Sequence, residues 1–390
     1  MKPAPSAAVL LLLACTACVS VPRKPDAFYD PPTPVAAGAP GEVLRIEPDP
    51  DGPPGARSMR ILYRSTGLRG EPIAVSALVV IPDGPAPAAG RNVVAWAHPT
   101  TGVVRDCAPS LQPDWRKTIP GLERMVEAGW VVVATDYPGL GTPGVHPYLV
   151  GESEARAVVD SVRAVRRMPE AAAGDRFAVW GHSQGGHAAL FSGELAASLA
   201  PELRLVGVAA AAPATNLGNL IEMDLGTRLG KVLASEALWS WSRVFDTPIS
   251  AVVFPDALPV VDEVAQICIR NAVEGAKALS AATPLGNGFF STPITSQEPW
   301  AGIMRRNSPG SARIPVPVFL SQGTSDEVVR QTVTAAYAGG LCARGTPVRY
   351  LSMPDETHIL VGFHSAEEAV AWMGDRFAGK PAPDDCKKRG

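Results

Sequence analysis

Short apolar runs recur along the chain, separated by segments with helical periodicity. Asn92 to Ala97, Trp130 to Thr135, Arg176 to Trp180, Leu203 to Ala211, Val316 to Leu320 and Val348 to Met353 have strand length and turn residues at their ends. Runs that are apolar at successive positions belong to strands covered on both faces. Between them lie helical patterns at Pro120 to Ala128, Glu152 to Arg167, Gly185 to Leu199, Val328 to Cys342 and Ser365 to Phe377. This alternation predicts an α/β fold, a mostly parallel sheet with flanking helices. Upstream, Arg60 to Arg64 and Ile73 to Ile81 flank a Gly67/Gly70 turn and predict an antiparallel pair. Ser365 followed by Glu368 predicts a capping box for the last helix. From Pro213 to Arg313 the alternation stops, and helical and loop patterns carry Trp239, Trp241, Trp300, Phe245, Phe289 and Phe290. The core is therefore expected at 56–212 and 314–386, with 213–313 as a helical insertion over the sheet. Its aromatics either pack among themselves or line a pocket for an apolar chain.

The first residues carry a different message. Lys2 precedes the apolar run Ala7 to Ala14, which ends at Cys15 and Cys18. About 20 apolar residues are needed to span a bilayer, so the run is too short and reads as an export signal over 1–18. Leu12-Leu13-Ala14-Cys15 resembles a bacterial lipoprotein signal, whose cysteine is lipidated and ties the protein to a membrane. Cys18 is the competing candidate, and an ordinary cleaved signal leading to secretion is the third reading. Ten prolines between Val19 and Gly55 predict an extended tether or strap. Charge then narrows the partners: 35 basic against 38 acidic residues, with no basic cluster, exclude a nucleic-acid partner. Beyond the signal only Cys107, Cys268, Cys342 and Cys386 remain. No CxxC occurs among them, which argues against zinc knuckles and dithiol redox chemistry; two disulfides are expected, in any of three connectivities.

Candidate chemistry centres on Gly181-His182-Ser183-Gln184-Gly185, placed between the strand Arg176 to Trp180 and a helical run. G-x-S-x-G in that context is a nucleophile elbow. The tight turn lifts the serine hydroxyl out of the sheet, and glycines let strand and helix pass close to it. Ser183 is the expected nucleophile. A serine needs a base, and the base an orienting acid, in the chain order Ser, acid, His. Of the six histidines (98, 146, 182, 187, 358 and 364) only His358 and His364 follow far enough along. His358 is favoured because it lies in a loop just after the strand Val348 to Met353, whereas His364 falls near the last helix. The acid is expected after Val316 to Leu320, where Asp326 is favoured over Glu327, which would serve as a charge at the next helix start. Oxyanion donors are expected from the N–H of Gln184 and from His98-Pro99-Thr100-Thr101-Gly102, where proline has no N–H and Thr100 or Thr101 must donate. Thr100 is the chosen residue.

Taken together, His98-Pro99-Thr100-Thr101-Gly102, Asp136-Tyr137-Pro138-Gly139-Leu140-Gly141, Gly181 to His187 and Gln322-Gly323-Thr324-Ser325-Asp326 resemble the secretory lipase (lipase A-like) family of α/β-hydrolases. The resemblance runs from about Pro40 to Cys386. It implies an α/β-hydrolase fold, a lid in the insertion, and an exported carboxylic-ester hydrolase with a Ser183–Asp326–His358 triad and no cofactor. An acyltransferase built on the same acyl-enzyme is the alternative, with a serine peptidase behind it. The resemblance further implies pairing of Cys107 with Cys268 and of Cys342 with Cys386. That family usually has glycine where this chain has Pro99. Two other patterns stay structural. Gly139 to Gly144 spells GxGxxG but has no helix directly after it, so no dinucleotide site is expected. His182 and His187 lack metal-ligand spacing, so no metal is expected.

Overall fold

The computed structural model describes residues 22–286 and 288–388, so the signal and its Cys15 and Cys18 lie outside the described residues. In chain order the strands are β1 (Val43–Asp49), β2 (Ala56–Thr66), β3 (Pro72–Pro82), β4 (Arg91–Ala97), β5 (Val131–Thr135), β6 (Ala173–His182), β7 (Arg204–Ala211), β8 (Val318–Gly323) and β9 (Val348–Met353). They form one sheet in the order β1-β2-β3-β5-β4-β6-β7-β8-β9. β1, β2, β3 and β5 pair antiparallel, and every neighbour from β5 and β4 to β9 is parallel. Helices α1 (Leu122–Glu127), α2 (Gly151–Arg166) and α3 (Gln184–Leu199) precede β7. Between β7 and β8 come α4 (Leu217–Asp224), α5 (Arg228–Val244), α6 (Leu258–Ala265), α7 (Ala272–Ala281) and α8 (Trp300–Arg306). α9 (Gln331–Ala343), α10 (His358–His364) and α11 (Ala366–Phe377) follow β8.

Successive strand residues feed two cores, as a doubly covered sheet requires. Val93, Ala95, Phe177 and Val179 pack with Val158, Val162 and Leu190 of α2 and α3. Val94, Trp96, Ala178 and Trp180 pack on the other face with Met125 of α1 and Met373 of α11, and this layer continues into Val232 and Trp241 of α5. The insertion is thus continuous with one core layer. Among the described residues no helix is long and apolar enough to cross a membrane.

One expectation narrows and another needs correction. Of tether and strap, the proline-rich stretch is a strap over the described residues from Pro22 on. Phe28 and Tyr29 are buried, the Tyr29 hydroxyl is 2.8 Å from Ser110 Oγ, and β1 lies inside the stretch as an edge strand. An edge tolerates Pro48 because one side of the strand needs no ladder donor. The capping box is absent. Ser365 has helical backbone (φ −91°, ψ −1°) because it ends α10 as well as preceding α11. Its Oγ instead donates to Val361 O at 2.6 Å and meets Ser321 Oγ at 2.8 Å.

Candidate active site

Ser183 occupies the turn from β6 into α3 with φ +55° and ψ −116°, backbone that a residue with a side chain adopts only under constraint. Glycines create that constraint. A Cβ on Gly181 would lie 2.0 Å from Gly185 O, and a Cβ on Gly185 would lie 1.8 Å from Ala97 O. Only without those atoms can β4, β6 and α3 converge. Ser183 N donates to Ala211 O at 2.9 Å, and His187 N donates to Ser183 O at 3.0 Å, so the elbow is tied from both sides.

The expected partners converge on this serine. His358 Nε2 is 2.9 Å from Ser183 Oγ, and His358 Nδ1 is 2.8 Å from Asp326 Oδ2. Asp326 Oδ1 accepts from the N–H groups of Val328 and Val329 at 2.9 and 2.8 Å, and Oδ2 also accepts from Gln322 Nε2 at 2.9 Å. Burial pushes the Asp326 carboxyl up, but the His358 bond and charge, with the two backbone donors, prevail and hold it below the usual carboxylate range. An ionised Asp326 makes Nδ1 the protonated nitrogen of His358, which leaves Nε2 to accept from the serine. His358 is the first residue of α10 and not a loop residue. His182 fixes its backbone, donating from Nε2 to His358 O at 2.8 Å. Burial drives the pKa of His182 down to about 3, with the charge of His358 adding to it. It therefore stays neutral, with a proton free for that carbonyl.

The residues set aside are elsewhere. His364 closes α10 at the surface, bonded to the Glu356 carboxylate. Glu327 is exposed, and the first turn of α9 contains no acid, so it is not the helix-start charge expected of it. α9 opens only at Gln331, after a turn organised by the Asp326 carboxylate.

Gln184 opens α3, which puts its N–H at a helix N-terminus beside the serine. Thr100 is half-buried, with its hydroxyl 2.9 Å from the Tyr148 hydroxyl. The loop it belongs to is held at several points. His98 lies between Pro99 O at 2.6 Å and Asp136 O at 3.2 Å, and Thr101 O accepts from Ile269 N at 2.9 Å. Ile269 follows Cys268, which is bonded to Cys107; Cys342 is bonded to Cys386.

Sequence reasoning missed a second layer beneath the elbow. Glu154, fully buried on α2, places Oε2 2.6 Å from His187 Nδ1 and accepts from Gln184 Nε2 at 2.8 Å. His187 Nε2 is 2.7 Å from Asn307 O. His187, four residues after Ser183 on the same helix, was the available signal; Glu154 belongs to no motif. Beside Ser183 and Gln184 a pocket opens under the insertion, walled by Leu217, Leu220, Ala234, Trp241, Val328 and Val329. Trp241 lines it, fully buried, with Nε1 bonded to Tyr148 O at 2.7 Å. Trp239 packs away from it, stacked on the Arg243 guanidinium 4.0 Å from the ring centre.

A mostly parallel nine-stranded sheet, with a serine elbow after β6 and an acid and a histidine after the following strands, defines an α/β-hydrolase. The family model for secretory lipases matches residues 119–385, and the chain belongs to that family. It is accordingly a hydrolase of the lipase and carboxylesterase type. Lipase 10 of Candida albicans is 24% identical over 401 residues, covering 94% of this chain and 84% of the relative. A protein of Mycobacterium tuberculosis described as a probable inactive lipase is 26% identical over 385 residues, covering 92% and 83%. Among solved structures, Candida antarctica lipase A superposes with a TM-score of 0.76 at 20% identity, covering 93% of this chain and 87% of that one. That likeness speaks to the fold.

Proposed function

We propose that this chain is an exported serine carboxylic-ester hydrolase that works through an acyl-enzyme on Ser183. The carrying observation is the pair of contacts from His358, 2.9 Å to Ser183 Oγ and 2.8 Å to Asp326 Oδ2. Since one relative is described as a probable inactive lipase, family membership leaves activity to be argued from these side chains. His358 Nε2 takes the Ser183 proton as Oγ attacks the ester carbonyl, and Asp326 stabilises the imidazolium so formed. The N–H groups of Gln184 and Thr100 receive the oxyanion. His358 then protonates the leaving alkoxide, and the same nitrogen activates the water that hydrolyses the acyl-enzyme. The helical insertion at 213–313 bounds the pocket and sets which chains fit. Export rests on the short apolar run before Cys15 and Cys18. Lipidation at either cysteine would hold the enzyme at the cell envelope.

The test is covalent. An organophosphonate should label Ser183, seen by mass, and both labelling and p-nitrophenyl ester turnover should disappear in Ser183→Ala, with kcat down by about a thousandfold or more. Ester turnover by purified Ser183→Ala near the parent rate would falsify the assignment. Ester products dominated by transfer to added alcohol would instead favour the acyltransferase reading.

A further inference from the structure

The pocket beside Ser183 is mostly apolar; besides the serine, its polar lining residues are Tyr148, Gln184 and Asp224. Asp224, the last residue of α4, lines it together with Ser183, Leu220 and Trp241. The residue is 6% exposed, and its Oδ1 is enclosed with no hydrogen-bond partner in the protein. Its position is unfavourable for an anion. The free carbonyls of a helix C-terminus repel negative charge, and the Asp224 carbonyl itself is occupied by the Thr227 N–H at 2.8 Å and hydroxyl at 2.9 Å. Room around it is also limited: a Cβ on Gly230 would fall 2.6 Å from Asp224 Cβ, so α5 holds the side chain against the pocket. Burial, with the Asp326 carboxylate adding to it against Arg330 and His358, brings its pKa up to about 7. A carboxyl kept this way costs stability unless something in the pocket bonds to it.

We infer that Asp224 determines specificity by bonding a hydroxyl on the substrate chain that fills this pocket. Esters of hydroxylated chains are then preferred over esters of plain hydrocarbon chains. This rests on the pocket serving the Ser183 hydrolase reading. A hydroxyl is the matching group because it accepts from the protonated carboxyl and donates to the ionised one. A cationic chain fits less well, since the Arg330 guanidinium already brings positive charge to Asp224. A site built to bond a substrate hydroxyl discriminates strongly against the analogue without it, because its own polar group is left unpaired.

The experiment compares kcat/KM for esters of equal chain length: unsubstituted, hydroxylated at successive positions of the acyl chain, hydroxylated on the alcohol, and carrying a quaternary ammonium. Parent, Asp224→Leu and Asp224→Asn are assayed, each with matched thermal unfolding, and Ser183→Ala serves as the blank. The parent should favour one hydroxylated position by about tenfold or more. Which arm shows the preference tells whether acyl or alcohol chain occupies the pocket. Asp224→Leu should invert that preference through KM and raise turnover of the plain chain. Asp224→Asn, which still donates and accepts, should keep part of it and decides the matter if the leucine variant does not fold. An identical hydroxyl-to-plain ratio in parent and variants would overturn the inference and leave Asp224 as a carboxyl bonded to water. A preference for the quaternary ammonium that both variants lose would overturn it in favour of a counter-ion. Hydrolysis persisting in Ser183→Ala would sink the hydrolase reading itself, a result distinct from either.

Discussion

Glu236 on α5 is fully buried, and neither carboxylate oxygen has a partner. Burial alone pushes its pKa well above 4.5. The folded state therefore keeps a proton that the unfolded chain releases above about pH 4.5, so the cost to stability grows as pH rises and vanishes below that point. Glu236→Met, of similar volume and without the orphaned oxygens, should stabilise the fold near neutral pH by about 1–3 kcal/mol. The gain, measured by urea unfolding, should shrink toward pH 4.5; an equal gain at both pH values would refute the ionisation argument. Asp326 and Glu327 pose the opposite problem, two adjacent acids of which one matters. Asp326→Ala should lower kcat by about 10³–10⁴-fold, since His358 loses its orienting charge, while Glu327→Ala, at an exposed position, should stay within about twofold. The reverse outcome would move the acid by one residue. The sequence made Asp326 legible through chain order and the preceding strand. Glu236 and Asp224 were not legible, because burial of a lone acid is decided by which helices pack over it.

The elbow is an element-level device, since β4, β6 and α3 meet where Gly181 and Gly185 have no side chain. Gly185→Ala would set a methyl group 1.8 Å from Ala97 O. Backbone cannot yield there without moving the His98–Gly102 loop that follows Ala97. We expect a loss of at least about 2 kcal/mol in stability together with loss of ester turnover. A variant that kept parental turnover and melting temperature would show that the approach is not tight. The parallel strands were readable because each is a continuous apolar run between turns. β1 was hidden because half-buried Val43, Leu44 and Arg45 are followed by exposed Ile46, Glu47 and Pro48, so no apolar alternation marks it. α10 misled for a related reason: it spans seven residues, with Ile359, Leu360 and Phe363 67%, 43% and 43% exposed and only Val361 and Gly362 buried, too short a pattern to mark a helix. His358 was therefore read as a loop residue although it begins that helix.

At the scale of the whole molecule, the two disulfides join segments 161 and 44 residues apart, worth about 5 and about 4 kcal/mol in loop-closure entropy alone. The first links the insertion to the stretch after the His98–Gly102 loop; the second links the C-terminal segment to α9. Removing Cys107 and Cys268 together should expose 213–313 to the first proteolytic cuts, whereas removing Cys342 and Cys386 should expose the chain after Phe377. Identical first cuts in both double variants, mapped by mass spectrometry, would mean neither bond localises the loosening. The packed strap also has a consequence for reach. From Arg23, whose N–H donates to Leu111 O at 2.8 Å, the chain is fastened to the 105–111 stretch that carries Cys107. Four residue steps separate Cys18 from Pro22 and seven separate Cys15 from it, at most about 14 and about 25 Å of extended chain. An acyl group on either cysteine would therefore act as a short leash, less than a bilayer's thickness, pulling on the edge of the molecule where the insertion is cross-linked. The enzyme would hang at one height and meet only esters brought to that height. Lengthening the 18–22 stretch with a flexible spacer should leave turnover of dissolved esters alone and alter turnover of esters held in the membrane.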